Sequence, residues 1–314
     1  MNFKYRLITR SDFDGLVCAI LLKEMKMLDE IKFVHPKDVQ DGNVEITDRD
    51  ILTNLPYDPN CHLCFDHHAS EEIRNESTKD TNLILEATAE SAARVVYNYY
   101  GGAATFPNVS VEMMEAVDRA DSARFERQDV LAPQGWEMLN FIMDPRTGLG
   151  RFRNYRISNY NLMMALIDLL RHNSIDEVLT MPDVRERVEV YNAQREMFCE
   201  QLARCVTVDE NVVINDIRNE EIIFAGNRFV IYALYPESNV SVQVMPGRQN
   251  QNTVIAIGKS IFKRNNPVNV GEVCLRYGGG GHHAAGTCQV DHADVPRVLR
   301  EICDALNCRE TIEA

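Results

Sequence analysis

A chain of 314 residues with a formal net charge of -14 has room for two domains and lacks the broadly basic character that long duplex nucleic acid requires. Its 45% hydrophobic and 25% charged residues suit a globular protein, and no apolar run reaches the roughly 18–20 residues that span a bilayer. The opening MNFKYRLIT starts a strand pattern at once and does not read as a signal peptide, so a cytoplasmic protein is expected. The nine cysteines are scattered and odd in number, which fits a reducing compartment. Cys61 and Cys64 have CxxC spacing but no second pair to close a zinc site, and they read as strand-entry residues.

In chain order, FKYRLIT (3–9) reads as a buried strand and GLVCAILLKEMKML (15–28) as a helix packed on a sheet. IKFVH (31–35), DILTNLP (50–56, ended by Pro56) and HLCFD (62–66) read as further strands. EATAESAARVVYNYY (86–100) reads as a helix stopped by Gly101 and Gly102. This alternation predicts an α/β fold with a mainly parallel sheet, helices on both faces, and functional groups at the carboxyl ends of the strands. Residues 110–120 and 160–171 are expected to be helical, as is the charged amphipathic stretch 183–205, read as a connection between domains. From about 206, NVVIN, EIIFAG, RFVIYALY, NVSVQVMP and NTVIAIGKSIF are expected to be successive strands. A glycine-rich loop (278–281) and a closing helix near 294–306 complete a smaller mixed α/β domain. The expected division is 1–182, a linker helix 183–205, and 206–314.

Four motifs carry chemistry. In TRSDFDG (9–15), Asp12 and Asp14 flank Phe13 where the first strand meets the first helix, and Gly15 is expected to allow a sharp turn. A helix cap needs one carboxylate, so a pair at a strand end points to metal; oxygen donors suit Mn2+ or Mg2+, and imidazole among them favours Mn2+. Asp66-His67-His68 closes the fourth strand. One imidazole can bind metal while the other contacts phosphate or orients its neighbour, and Asp66 is placed to fix a tautomer. AVDRADSARF (116–125) offers Asp118, read as a solvated helix face, and Asp121 at the helix end. RYGGGGHHAAG (276–286) combines glycines that allow close backbone approach with Arg276, His282 and His283, and reads as an anion-clamping loop.

Together these motifs resemble the DHH/DHHA1 phosphoesterase superfamily over nearly the whole chain. SDFDG is similar to its first motif, DHH to its third, DSARF to its fourth, and GGGGHHAAG to the DHHA1 signature. The resemblance implies a DHH domain and a DHHA1 domain with the active site in the cleft between them. It implies Asp12, Asp14, His67 and Asp121 as metal ligands for one or two ions, Mn2+ first and Mg2+ or another divalent metal second. His68 would contact the phosphate, and Gly279, Gly280, Gly281, His282 and His283 would hold the other end of the substrate. The chain departs from the family pattern at Arg10, where relatives often carry histidine, and at Asn54, which takes the ligand position of a bridging aspartate. Asp48 is a rival for that position but precedes the strand. One metal site is thereby short of ligands, with Arg10 as a catalytic cation in its place. The glycine loop is also about one residue shorter than in many relatives.

The expected activity is metal-dependent hydrolysis of a phosphodiester in a small nucleotide: a cyclic dinucleotide such as cyclic GMP-AMP or cyclic di-AMP, a linear dinucleotide, or nanoRNA. The alternatives are a phosphoanhydride hydrolase acting on polyphosphate or pyrophosphate, and a nucleotide-binding sensor with weakened catalysis. Only scattered basic residues (Arg248, Lys259, Lys263, Arg264) offer themselves to polyphosphate. No membrane partner is expected, and a homodimer is left open.

Overall fold

The computed structural model describes residues 4–68 and 81–309. The chain divides into two compact units, Met1–Val190 and Tyr191–Ala314.

The first unit is built on a five-stranded sheet of order β2-β1-β3-β4-β5, parallel throughout. The strands are β1 Tyr5–Arg10, β2 Leu28–Val34, β3 Asp50–Thr53, β4 Leu63–Asp66 and β5 Leu83–Leu85. Phe3 of the expected first strand lies outside the described residues. Leu7 and Ile8 point to opposite faces and both are fully buried, as parallel strands covered on two sides require. One face packs Ile8, Leu52 and Cys64 with Val34, Val44, Leu55 and Cys61. Against the sheet lies helix α1, Phe13–Glu24, whose residues Phe13–Leu22 are all buried; helices α2 (Ala92–Tyr99) and α3 (Val111–Asp121) pack on it. A helix apolar on every side, here GLVCAILL, belongs in the middle of a layer.

Strand β2 lies on one side of β1, while β3 to β5 lie on the other. The chain therefore reverses direction across the sheet between β1 and β3. In open α/β sheets ligand groups gather at that crevice, beyond the carboxyl ends of the strands. The segments that follow β1 and β3 here are Ser11–Gly15 and Asn54.

Expectations for this unit change at several places; the helix anticipated over 15–28 runs Phe13–Glu24, and Leu28 opens β2. The helix anticipated over 86–100 is shorter, because Ser91 takes an extended conformation and its hydroxyl accepts from Arg94 N–H, starting the helix at Ala92. Strand β5 lies just before it and was not anticipated.

The second unit carries a six-stranded mixed sheet of order β10-β11-β9-β8-β7-β6. Its strands are β6 Val206–Asp209, β7 Val212–Asp216, β8 Val240–Pro246, β9 Thr253–Lys259, β10 Gly280–His282 and β11 Ala285–Val290. Val240, Val242 and Val244 alternate inward along β8 and pack with Ile255 and Ile257 under helices α5 (Val270–Leu275) and α6 (Val295–Leu306). The long helix α4 runs Pro182–Cys205. RFVIYALY is not a strand: Val230–Leu234 is a short helix, since a brief apolar run suits either period. EIIFAG is not a strand either. The amides of Phe224 and Ala225 are taken by the side chains of Gln201 and Gln194 on α4, not by a neighbouring strand. Strands β6, β10 and β11 were not anticipated. Among the described residues no helix is long and apolar enough to cross a membrane.

Candidate metal centre

Phe13 separates Asp12 from Asp14 and is itself buried, stacked on Trp136 with ring centroids 5.9 Å apart. Anchoring this ring in the core sends the two carboxylates different ways. Asp12 caps α1, its Oδ1 accepting from Gly15 N–H at 3.0 Å. Asp14 points inward, its Oδ1 and Oδ2 accepting from the backbone N–H groups of Ala93 (2.8 Å) and Ala92 (3.0 Å). These are the open donors at the N-terminus of α2, where the helix dipole also favours a negative charge. Gly15 is needed for close approach and not for a turn. It sits in the helix, and a Cβ there would lie 2.0 Å from Arg10 O and 2.6 Å from Thr9 Oγ1.

His67 accounts for both ring nitrogens. Nδ1 lies 3.2 Å from Ala89 O, so it carries the proton and leaves a lone pair on Nε2. Nε2 lies 2.9 Å from Asp121 Oδ2, yet it is buried without a hydrogen bond of proper geometry. Two lone-pair atoms facing each other need a cation, either a proton or a metal. Asp14, His67 and Asp121 bring one donor atom each within 4.8 Å of one another. Two carboxylates and an imidazole in this arrangement fit a divalent ion of the Mn2+ or Mg2+ kind.

His68 is turned differently. Its Nδ1 lies 2.8 Å from Oδ1 of the buried Asp66, which fixes the proton there and directs Nε2 away. Burial lowers its basicity, but Asp66 outweighs that and raises it. Asp66, His67 and His68 also fall within ligand distance of one another, but Asp66 is engaged in orienting His68.

Arg10 Nε lies 2.8 Å from Asp12 Oδ2. Asn54 follows β3 with a left-handed backbone (φ 54) and is buried. Its Nδ2 lies 3.2 and 3.4 Å from the two oxygens of Asp12, while its Oδ1 has no partner among the described residues. Its amide thus serves Asp12 as a donor. Asp48 is exposed and lies before β3, at the other end of the sheet.

The reading of Asp118 as a solvated face is corrected. It is buried, accepting from Ser91 Oγ at 2.7 Å and from Arg94 Nε at 2.8 Å. It braces the N-terminus of α2 behind Asp14. Sequence reasoning also passed over Ser91, Arg94, Thr9, Thr53 and Arg146. Thr53 Oγ1 donates to Thr9 Oγ1 at 2.7 Å, tying the ends of β1 and β3 together. Arg146 is held by Asp144 at 2.8 Å, and its positive charge acts on Asp12 and Asp121. Arg94 lay in an expected helix with i,i+4 neighbours to satisfy it, so nothing in the sequence pointed to Asp118.

In the second unit, β10 (Gly280–His282) forms the first arm of a hairpin with β11, Gly281 opposite Gly286 and His282 opposite Ala285. The N–H groups of Gly278 and Gly279 are taken by Leu275 O and Cys274 O, so these two form the turn after α5 rather than an anion nest. The glycines here serve close packing. A Cβ on Gly279 would lie 2.2 Å from Thr287 O, and one on Gly281, where φ is 158, would lie 2.3 Å from Ala285 O. His282 and His283 are exposed, and Lys259 Nζ lies 3.1 Å from His283 Nδ1.

At the candidate centre, the closeness of these groups raises the affinity of Asp14 and His67 for protons. Burial, with Asp121 nearby, pushes the Asp14 carboxyl up to about 7. Burial alone would lower the His67 imidazole, but Asp121 and Asp14 outweigh it and raise it to about 9. Burial raises Asp121 too, but His67 holds it below the usual carboxylate range. Protons and ion compete for these atoms, so Mn2+ affinity is expected to fall as pH drops from about 9 through about 7. Titration calorimetry in buffers of different ionisation enthalpy counts the protons released. A pH-independent affinity across that window contradicts the assignment.

No protein-family model matches the chain, and the curated proteins give no match. Among solved structures, the chain is similar to the pGpG-specific phosphodiesterase PggH from Vibrio cholerae. The identity is 57% with a TM-score of 0.85, over 98% of this chain and 100% of that one. Weaker likenesses include RecJ from Thermus thermophilus in complex with Mn2+, 13% identical with a TM-score of 0.49 over 99% of this chain and 53% of that one. CDC45 from Entamoeba histolytica is 8% identical, with a TM-score of 0.49 over 97% of this chain and 95% of that one.

Proposed function

The chain belongs to the DHH/DHHA1 phosphoesterase superfamily, and from that premise we propose that it is a divalent-metal-dependent phosphodiesterase that splits linear 5′-phosphorylated dinucleotides of the pGpG type. The observation that carries this reading is the 57% identity to a pGpG-specific phosphodiesterase along 98% of the chain. The first unit supports it with a cation-seeking cluster at the sheet's switch point.

In this reading Asp14, His67 and Asp121 hold the ion, with Mn2+ the expected metal. When bound, it supplies Lewis-acid chemistry to the phosphoryl group and the attacking water. His68 would donate from Nε2 to the phosphate as an imidazolium, the form that Asp66 at Nδ1 favours. Arg10 adds a positive charge toward the oxygens on which negative charge develops. Water attacks phosphorus, the bond to the 3′-oxygen breaks, and that oxygen takes up a proton; pGpG gives two molecules of GMP. The hairpin Gly279–His283, with Lys259 beside it, is assigned to nucleotide binding. Among the described residues no disulfide joins the cysteines, which suits the cytoplasm.

A product chromatogram tests the reading. With Mn2+ the protein is expected to convert pGpG to GMP and to leave cyclic di-GMP and short polyphosphate intact. Phosphate released from polyphosphate alone would replace it with a phosphoanhydride hydrolase. Turnover of nothing would leave a nucleotide-binding protein.

A further inference from the structure

Asp12 and Asp14 come from one turn of chain, but their surroundings differ in kind. Among the described residues the oxygens of Asp14 accept from the backbone N–H groups of Ala92 and Ala93 and, at 4.0 Å, from the Cys18 thiol, and it faces His67 and Asp121 with no guanidinium or ammonium in contact. Asp12 is met by donors on every side: Gly15 N–H at 3.0 Å, the Asn54 amide at 3.2 and 3.4 Å, and the Arg10 guanidinium at 2.8 Å. A divalent ion on Asp12 would have to displace a guanidinium already in contact, or sit beside it against its charge. An amide at Asn54 turns N–H groups toward Asp12, where a carboxylate would offer lone pairs. Its own Oδ1 remains buried and without a partner among the described residues.

We propose that this centre takes one divalent ion, held by Asp14, His67 and Asp121, and that Arg10, locked by Asp12 and Asn54, is the fixed second cation of the site. Asp12 is then a positioning residue, not a ligand. This inference rests on the phosphodiesterase reading above. Its consequence is a site in which one of the two cations is built into the chain and does not vary with metal supply. An arginine also differs from an ion in what it does. It donates in a plane, through several N–H groups, to the oxygens of a phosphate, and it cannot acidify water.

The test counts ions on the whole protein. Equilibrium dialysis against Mn2+ is expected to give one ion per chain, with the paramagnetic resonance signal of an isolated Mn2+. The Arg10→His, Asn54→Asp double variant restores two ligand types; aspartate keeps the tolerance for a left-handed backbone that position 54 requires. That variant is expected to bind two ions and to show the spin-coupled signal of adjacent Mn2+. Two coupled ions on the unaltered chain would overturn the proposal. One ion on a folded double variant would overturn the roles given to Arg10 and Asn54. No ion on the unaltered chain would instead overturn the metal-dependent reading on which the proposal rests.

Discussion

Replacing His67 by alanine is expected to lower turnover at least about a thousandfold, well beyond the roughly 10–100-fold typical of removing a residue that only supports a ligand. The expectation follows from where the ring nitrogens point. Nδ1 is spent on Ala89 O, so Nε2 has no task except toward Asp121 and whatever cation lies between them. Without the imidazole the site keeps two carboxylates, Asp14 and Asp121, whose charges repel. The variant can be separated from simple misfolding by its thermal response. Mn2+ at a hundred times its dissociation constant should stabilise the unaltered protein by about 2.7 kcal/mol and leave His67→Ala almost unmoved. Wild-type turnover in the variant would remove His67 from the site.

The second large effect is expected at a residue that touches no substrate. Asp118→Ala deletes the acceptor shared by Ser91 and Arg94. The cost is expected to be about 2–3 kcal/mol of folding stability, at the low end for a broken buried pair because the Arg94 side chain is 26% exposed and can be partly rehydrated. The loss reaches the centre along a short path. Ser91 caps α2, and the first N–H groups of α2 hold the carboxylate of Asp14. Mn2+ affinity is therefore expected to fall about tenfold or more. Urea denaturation and equilibrium dialysis on the same preparation check both numbers. Asp118→Asn, which keeps an acceptor for Ser91, should recover much of the affinity. Unchanged stability and affinity in Asp118→Ala would mean that Asp118 does not brace the centre.

The pair of expectations shows what a sequence displays and what it hides. Asp12, Asp14, His67 and His68 could be singled out because each breaks the apolar pattern at the end of a buried strand, where packing gives no reason for a charge. The parallel sheet was readable from apolar strands separated by helices. Asp118 looked like any other charge on an amphipathic helix. Its partner Arg94 lies 24 residues earlier, and only the packing of α2 against α3 brings them together. Asn54 was placed correctly at a strand end, but its direction of hydrogen bonding depends on a left-handed backbone and on Asp12, neither of which local sequence specifies. RFVIYALY failed for the opposite reason: short apolar runs are compatible with both periods, and the tertiary setting decided for a helix. The glycines of 278–281 were expected to free N–H groups for an anion. Two of those groups close a turn, and the run is needed because its backbone lies directly against β11.

The proposed cleavage depends on a metal, and the most direct measurement is the rate of GMP release from pGpG by one preparation in three states: with Mn2+, after exhaustive chelation, and with Mn2+ restored. The expected result is full activity, then none, then full activity again, with no restoration in His67→Ala. Undiminished GMP release from the chelated protein would contradict it.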